Sequence, residues 1–118
     1  MEFELLESKD FLEQLETLAI TNKDYKNFVK DIKASPRTAK GSHSLKGTLA
    51  GFRAAHIRGG KFIVIFLICE ECLSHPSHKI LLTHCPEAQE KCGDFKRIVL
   101  LKCGLHGFYK TFSRSVTG

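Results

Sequence analysis

The stretch FRAAHIRGGKFIVIFLI, residues 52–68, decides the fold. Phe52 to Arg58 has strand character, and Gly59-Gly60 is a dipeptide that closes a hairpin, because glycine enters positive φ without steric cost. Phe62 to Ile68 is an unbroken apolar run of β-branched and aromatic residues. It is too short to cross a membrane and reads as a central strand buried on both faces. Side chains two apart share a face of a strand, so His56 goes with Phe52, Ala54 and Arg58. Arg53, Ala55 and Ile57 point the other way. Arg53 would therefore need a bulge, or a position at the strand end, to join His56.

Upstream, Phe3, Leu5 and Leu6 suggest a short first strand, and Ser8 can cap a helix from Lys9 on which Phe11, Leu15 and Leu18 recur at helical spacing. Thr21-Asn22 restarts the helix with Asp24 near its new N-terminus. Tyr25, Phe28, Val29 and Ile32 then form a second apolar stripe, and Ser35-Pro36 ends it, since the residue before proline avoids the helical region. Arg37 to Gly51 is a polar turn region. Downstream, Arg97 to Cys103 reads as the last strand. At 118 residues the chain is one domain, 1–118, with a Cys/His-rich insertion at about 69–95.

The formal charge of +5 is unevenly spread. Residues 1–22 carry six acids and one base, while residues 23–61 carry ten bases against Asp24 and Asp31. A basic middle third suits a polyanion such as RNA, or an acidic protein segment. A solvated helix face is the plainer reading of the same lysines. The N-terminus lacks a basic region followed by an apolar core, so no signal peptide is expected and a cytoplasmic location is the default, with no membrane partner.

Three histidines then stand out: His43 and His56, which frame HSLKGTLAGFRAAH, and His106 in GLHGFY near the end. Histidine accepts and donates protons near neutral pH, so a convergent set can cleave RNA without a metal. A histidine before a Leu-x-Gly turn, a second after Gly-Phe-Arg on the next strand, and a third in a Gly-x-His turn resemble the RelE/ParE toxin superfamily, in particular its YafQ-like mRNA endonuclease branch. The resemblance implies an α+β fold, β-α-α-β-β-β, with two N-terminal helices packed on one face of a small twisted antiparallel sheet. It implies the toxin of a type II toxin–antitoxin system, a metal-independent endoribonuclease that cleaves mRNA on the ribosome and is neutralised by a cognate acidic antitoxin. His43, His56 and His106 carry over as the catalytic set. Lys46, Arg53 and Arg58 are phosphate-binding candidates. Lys61 and Tyr109 are further substrate-binding candidates, and neither the acid nor the base is assigned.

The match has departures. An Asp beside an aromatic residue just before the central strand is replaced here by Gly60-Lys61-Phe62, and Lys61 is the nearest source of the positive charge that relatives place early in that strand. The acidic residue that often follows the third histidine is Gly107. Two other function classes stay open: a ParE-like non-enzymatic toxin acting on DNA gyrase, and a zinc-stabilised RNA- or protein-binding module without catalysis. The insertion supports the latter. Cys69-Glu-Glu-Cys72 can present two thiolates to one Zn²⁺, with Cys85 and Cys92 as the second pair, a structural rather than catalytic site. His75, His78 or His84 could replace one of them. Free thiols are the alternative in a reducing compartment, a disulfide the alternative in an oxidising one, and Cys103 reads as core.

Overall fold

A computed structural model describes residues 3–57, 60–76, 97–105 and 107–108. Its order is β1 (Glu4–Glu7), α1 (Lys9–Thr17), α2 (Asn22–Ala34), β2 (His43–Ser44), β3 (Arg53–Ile57), β4 (Phe62–Ile68), α3 (Cys69–Ser74) and β5 (Arg97–Leu105). The strands form one five-stranded sheet in the order β1-β5-β4-β3-β2. The β2–β3, β3–β4 and β4–β5 pairs are antiparallel. β1 runs parallel to β5, with Leu5 opposite Ile98, so the sheet is mixed rather than wholly antiparallel as the sequence suggested.

The helices start and stop where their caps dictate. The Ser8 hydroxyl accepts from the Phe11 amide at 3.0 Å and donates to the Leu101 carbonyl at 2.8 Å, so one side chain caps α1 and ties it to β5. The Thr21 hydroxyl accepts from the Asp24 amide at 3.2 Å and caps α2. Between them, the Ile20 amide donates to the Leu15 carbonyl and the Ala19 amide to the Glu16 carbonyl, with Ala19 left-handed at φ 55°. This is the Schellman closure that glycine usually provides. The Gln14 side chain accepts from the Cys103 amide at 2.7 Å and satisfies a backbone donor of β5 beyond the reach of β1.

β4 is buried along its whole length because it faces two clusters. Phe62, Val64, Phe66 and Ile68 pack with Phe11, Phe28 and Ile32 of the two N-terminal helices. Ile63, Ile65 and Leu67 pack with Leu49, Phe52, Ala54, Val99 and Leu101 on the opposite face, where α3 contributes Cys69 and Cys72. That two-sided burial is why the run carries no polar alternation. Full burial of each such side chain stabilises by roughly 1.5–3 kcal/mol. A bulge where Ile65 pairs with Lys102 and Phe66 with Leu100 leaves Leu101 as the extra residue. Cys103 is core, as its place on the last strand suggested, and burial pushes its thiol up to about 12. Among the described residues, no helix is long and apolar enough to cross a membrane.

Candidate functional site

The outer end of the sheet gathers the first two histidines. β2 pairs His43 with Ala54, and His56 lies two residues further along β3, so the two rings are diagonal neighbours on one face. Their centroids are 6.2 Å apart and their planes 22° from parallel. His43 is exposed and His56 half-buried. Both lean on the tight turn Ala39–Gly41 that follows α2. His43 Nδ1 is 3.0 Å from the Gly41 carbonyl oxygen, and His56 Nδ1 is 3.3 Å from that of Lys40. Lys40 and Gly41 are both left-handed, at φ 54° and 70°. A Cβ on Gly41 would meet His56 Nδ1 at 2.8 Å, a distance only glycine avoids.

A surface pocket of about 430 Å³ opens beside His56, with Lys40, Gly41 and Gly60 among its lining residues. Gly60 sits at φ 102° in the β3–β4 connection, a conformation that glycine adopts freely. Lys40 was not singled out from the sequence, yet among the described lining residues it is the cation. Its ammonium lies 3.1 Å from Asp31 on α2. Signals for it existed: it stands within the basic segment, next to a glycine, three residues before His43. Lys61, next to Gly60, and Lys46, just before the Gly47 turn, are both exposed. The Lys61 ammonium lies 5.6 Å from the centre of the Phe62 ring.

Arg53 occupies a different environment. It is the first residue of β3, and its guanidinium is bound by Glu71 of α3 at 3.4 Å, the Ser42 hydroxyl at 3.3 Å and the Arg37 carbonyl at 3.0 Å. Only 11% of its side chain is exposed. Arg37 joins the same carboxylate, with its Nε 2.9 Å from Glu71. The structure therefore brings His43 and His56 together but turns Arg53 away from them, into a link between the sheet and α3.

His106, Arg58, Tyr109, Cys85 and Cys92 lie outside the described residues. Gly104 pairs with Ile63, and Ile63 with His56, so the last strand passes level with His56. Two strand spacings separate that row's ends, roughly 10 Å. Cys69 and Cys72, one helical turn apart on α3, enter the same cluster and are each 4% exposed. Among the described residues, no three His, Cys, Asp or Glu side chains are grouped for a metal.

No family model matches the chain, and no curated protein matches it. Solved structures do. The YoeB/ParE toxin from Agrobacterium tumefaciens is 14% identical with a TM-score of 0.56, over 87% of this chain and 98% of that one. The toxin–antitoxin complex RelBE2 from Mycobacterium tuberculosis matches at 13% identity and a TM-score of 0.57, over 89% and 92%. A copper-bound mutant toxin from Helicobacter pylori matches at 19% identity and a TM-score of 0.55, over 91% and 98%. With its helices against a five-stranded mixed sheet, the chain has the α+β fold of RelE/ParE-type toxins.

Proposed function

We propose that this chain is the toxin of a type II toxin–antitoxin pair, of the YafQ-like kind: a metal-independent endoribonuclease that cleaves mRNA on the ribosome. One observation carries the reading: His43 and His56, rings 6.2 Å apart, stand beside a pocket lined by Lys40. In this reading one imidazole takes the proton of a ribose 2′-hydroxyl, and the oxygen attacks the adjacent phosphorus. A protonated imidazole gives its proton to the departing 5′-oxygen, leaving a 2′,3′-cyclic phosphate and a 5′-hydroxyl. Lys40, Lys46 and Lys61 supply positive charge to the phosphate, and His106 is the third member of the set. Two near-parallel rings can meet neighbouring oxygens of one phosphodiester, which a single histidine cannot.

The basic segment supports both an RNA and an acidic antitoxin as partners. Lys23, Lys26, Lys30, Lys40, Lys46 and Lys61 all lie at least partly open to solvent. Counterion release makes either complex weaken as salt rises. In the insertion, Cys69, Cys72, Cys85 and Cys92 would hold a structural Zn²⁺ that folds the segment and takes no part in the reaction, and metal analysis of freshly purified protein should then find about one equivalent.

The test is cleavage of mRNA on translating ribosomes by the wild type, His43→Ala and His56→Ala. Wild-type cleavage that both variants lose supports the nuclease. A wild type that leaves mRNA intact but inhibits DNA gyrase replaces it with the ParE-like reading. A protein that does neither, yet binds RNA, leaves the non-catalytic binding module.

A further inference from the structure

We infer that the left-handed pair Lys40-Gly41 is a positioning element that sets the tautomer of both imidazoles. The inference rests on the nuclease reading for its catalytic consequence, but the tautomers can be read without it. Consecutive residues on either side of one peptide bond point their carbonyls at two different rings, Gly41 at His43 Nδ1 and Lys40 at His56 Nδ1. A carbonyl oxygen only accepts, so each Nδ1 must carry the hydrogen and donate it. A neutral imidazole has one N–H, so Nε2 becomes the basic nitrogen on both rings. Two histidines thereby exchange protons through the same atom, on the same side of one turn.

Regular backbone does not deliver this. In a helix or strand, successive carbonyls point along the axis or to alternate sides. Here φ is 54° and ψ 34° at Lys40, and φ is 70° at Gly41, so both residues lie in the left-handed region. A lysine in that region is strained, and such strain persists where the surrounding structure overrides it, often at functional sites. The turn is held from both sides. Lys40 is anchored to α2 by its ion pair with Asp31, and the Ser42 amide donates to the Ala39 carbonyl at 2.9 Å. Gly41 adds a steric condition, since any side chain there would press on His56 Nδ1 from 2.8 Å. The chain thus needs a glycine at the one position where the backbone supports one histidine and passes against the other.

The experiment is ¹⁵N NMR of histidine-labelled protein at a pH where the rings are neutral, paired with the ribosome cleavage assay. The wild type should show His43 and His56 with the hydrogen on Nδ1 and none on Nε2. Gly41→Ala should shift His56 toward the other tautomer and lower kcat by about 10²-fold with little change in KM, the usual consequence of displacing a reacting group by about 1 Å. Lys40→Gly keeps the carbonyl and suits the left-handed turn, so both Nδ1–H signals should remain. A wild type with Nε2–H on either ring overturns the inference, as does a Gly41→Ala protein whose tautomers and kcat are unchanged. If Gly41→Ala fails to fold, the wild-type and Lys40→Gly tautomers decide alone. Nδ1–H rings in a wild type that cleaves no RNA support the tautomer assignment and overturn the nuclease reading instead.

Discussion

β3 is five residues long, and its two ends have opposite environments. At one end, Arg53 is enclosed by Glu71, Ser42 and the Arg37 carbonyl. At the other, His56 meets a backbone carbonyl and borders a pocket. Residue type alone would make both ends functional, since an arginine suits phosphate as well as a histidine suits proton transfer. The difference lies in what the rest of the chain brings to each end. α3 delivers a carboxylate to Arg53, whereas the turn after α2 brings a carbonyl to His56. A carboxylate neutralises the charge a phosphate would need, while a carbonyl orients a ring without consuming its chemistry.

The largest expected effect separates the two ends directly. His56→Ala should lower RNA cleavage by about 10²–10⁴-fold, the usual loss on removing a positioned acid or base. Arg53→Ala should instead act on stability, by about 1–3 kcal/mol, because it removes a mostly buried charged group that holds several hydrogen-bond partners together. Paired thermal melts and cleavage assays read both. If Arg53→Ala costs as much activity as His56→Ala at an unchanged Tm, the two ends are alike and the contrast is broken.

Next comes the carboxylate itself. Glu71→Gln should free positive charge on Arg53 and Arg37 while keeping a polar side chain in place. RNA affinity would then fall more steeply with salt, by about 0.7 in the log–log slope for each further phosphate neutralised on a single strand. Filter binding at several salt concentrations measures it. An unchanged slope would mean that α3 does not restrain these arginines from RNA.

The helices and central strands were legible because their signals are local. Ser8, Thr21 and Ser35-Pro36 mark the helix ends, and the apolar run 62–68 marks the strand that both clusters need. The parallel pairing of β1 with β5 was not legible. It joins Glu4 to Arg97, and strand alternation reports which face a residue takes, not which strand lies alongside. Arg53 was half legible. Its alternation and strand-end position were right, but its partner Glu71 stands in an insertion that the sequence offered as a metal loop and that begins as a helix. Gly41 falls in the segment that read as a polar turn region, and it does sit in a turn. Its contact with His56 depends on the left-handed Lys40 beside it, and no residue-type preference announces a left-handed lysine.

Left-handed backbone offers a smaller test. The described residues contain two left-handed non-glycines, Lys40 and Ala19. The conformation at Lys40 aims a carbonyl at His56, whereas Ala19 only closes the α1 end. Ala19→Gly should therefore be stabilising by about 0.5–1 kcal/mol, offset in part by the greater freedom glycine has when unfolded. Chemical denaturation would show it, and cleavage should not change. A loss of stability would indicate that the Ala19 methyl has a packing role.

The smallest effect compares two ion pairs. Lys102 contacts Asp10 much as Arg53 contacts Glu71, but Asp10 is 58% exposed and its partner is a lysine. The hydrogen bond from Lys102 and its charge hold the Asp10 carboxyl below its ordinary 3.8. A carboxyl whose folded pKa is depressed stabilises the fold above its unfolded value and loses that contribution as pH falls through the folded one. The window for Asp10 therefore opens near 3.8 and extends downward. Solvent screening keeps an exposed pair to about 0.5 kcal/mol or less, so Asp10→Asn should barely shift Tm at neutral pH and should slightly flatten its decline below about pH 4. Arg53→Ala, by contrast, should lower Tm at every pH from neutral to acid, because its carbonyl and hydroxyl partners do not titrate. Melting both variants across that range tests whether burial, rather than charge alone, distinguishes the two pairs. Equal shifts at neutral pH would show that the enclosure of Arg53 adds nothing.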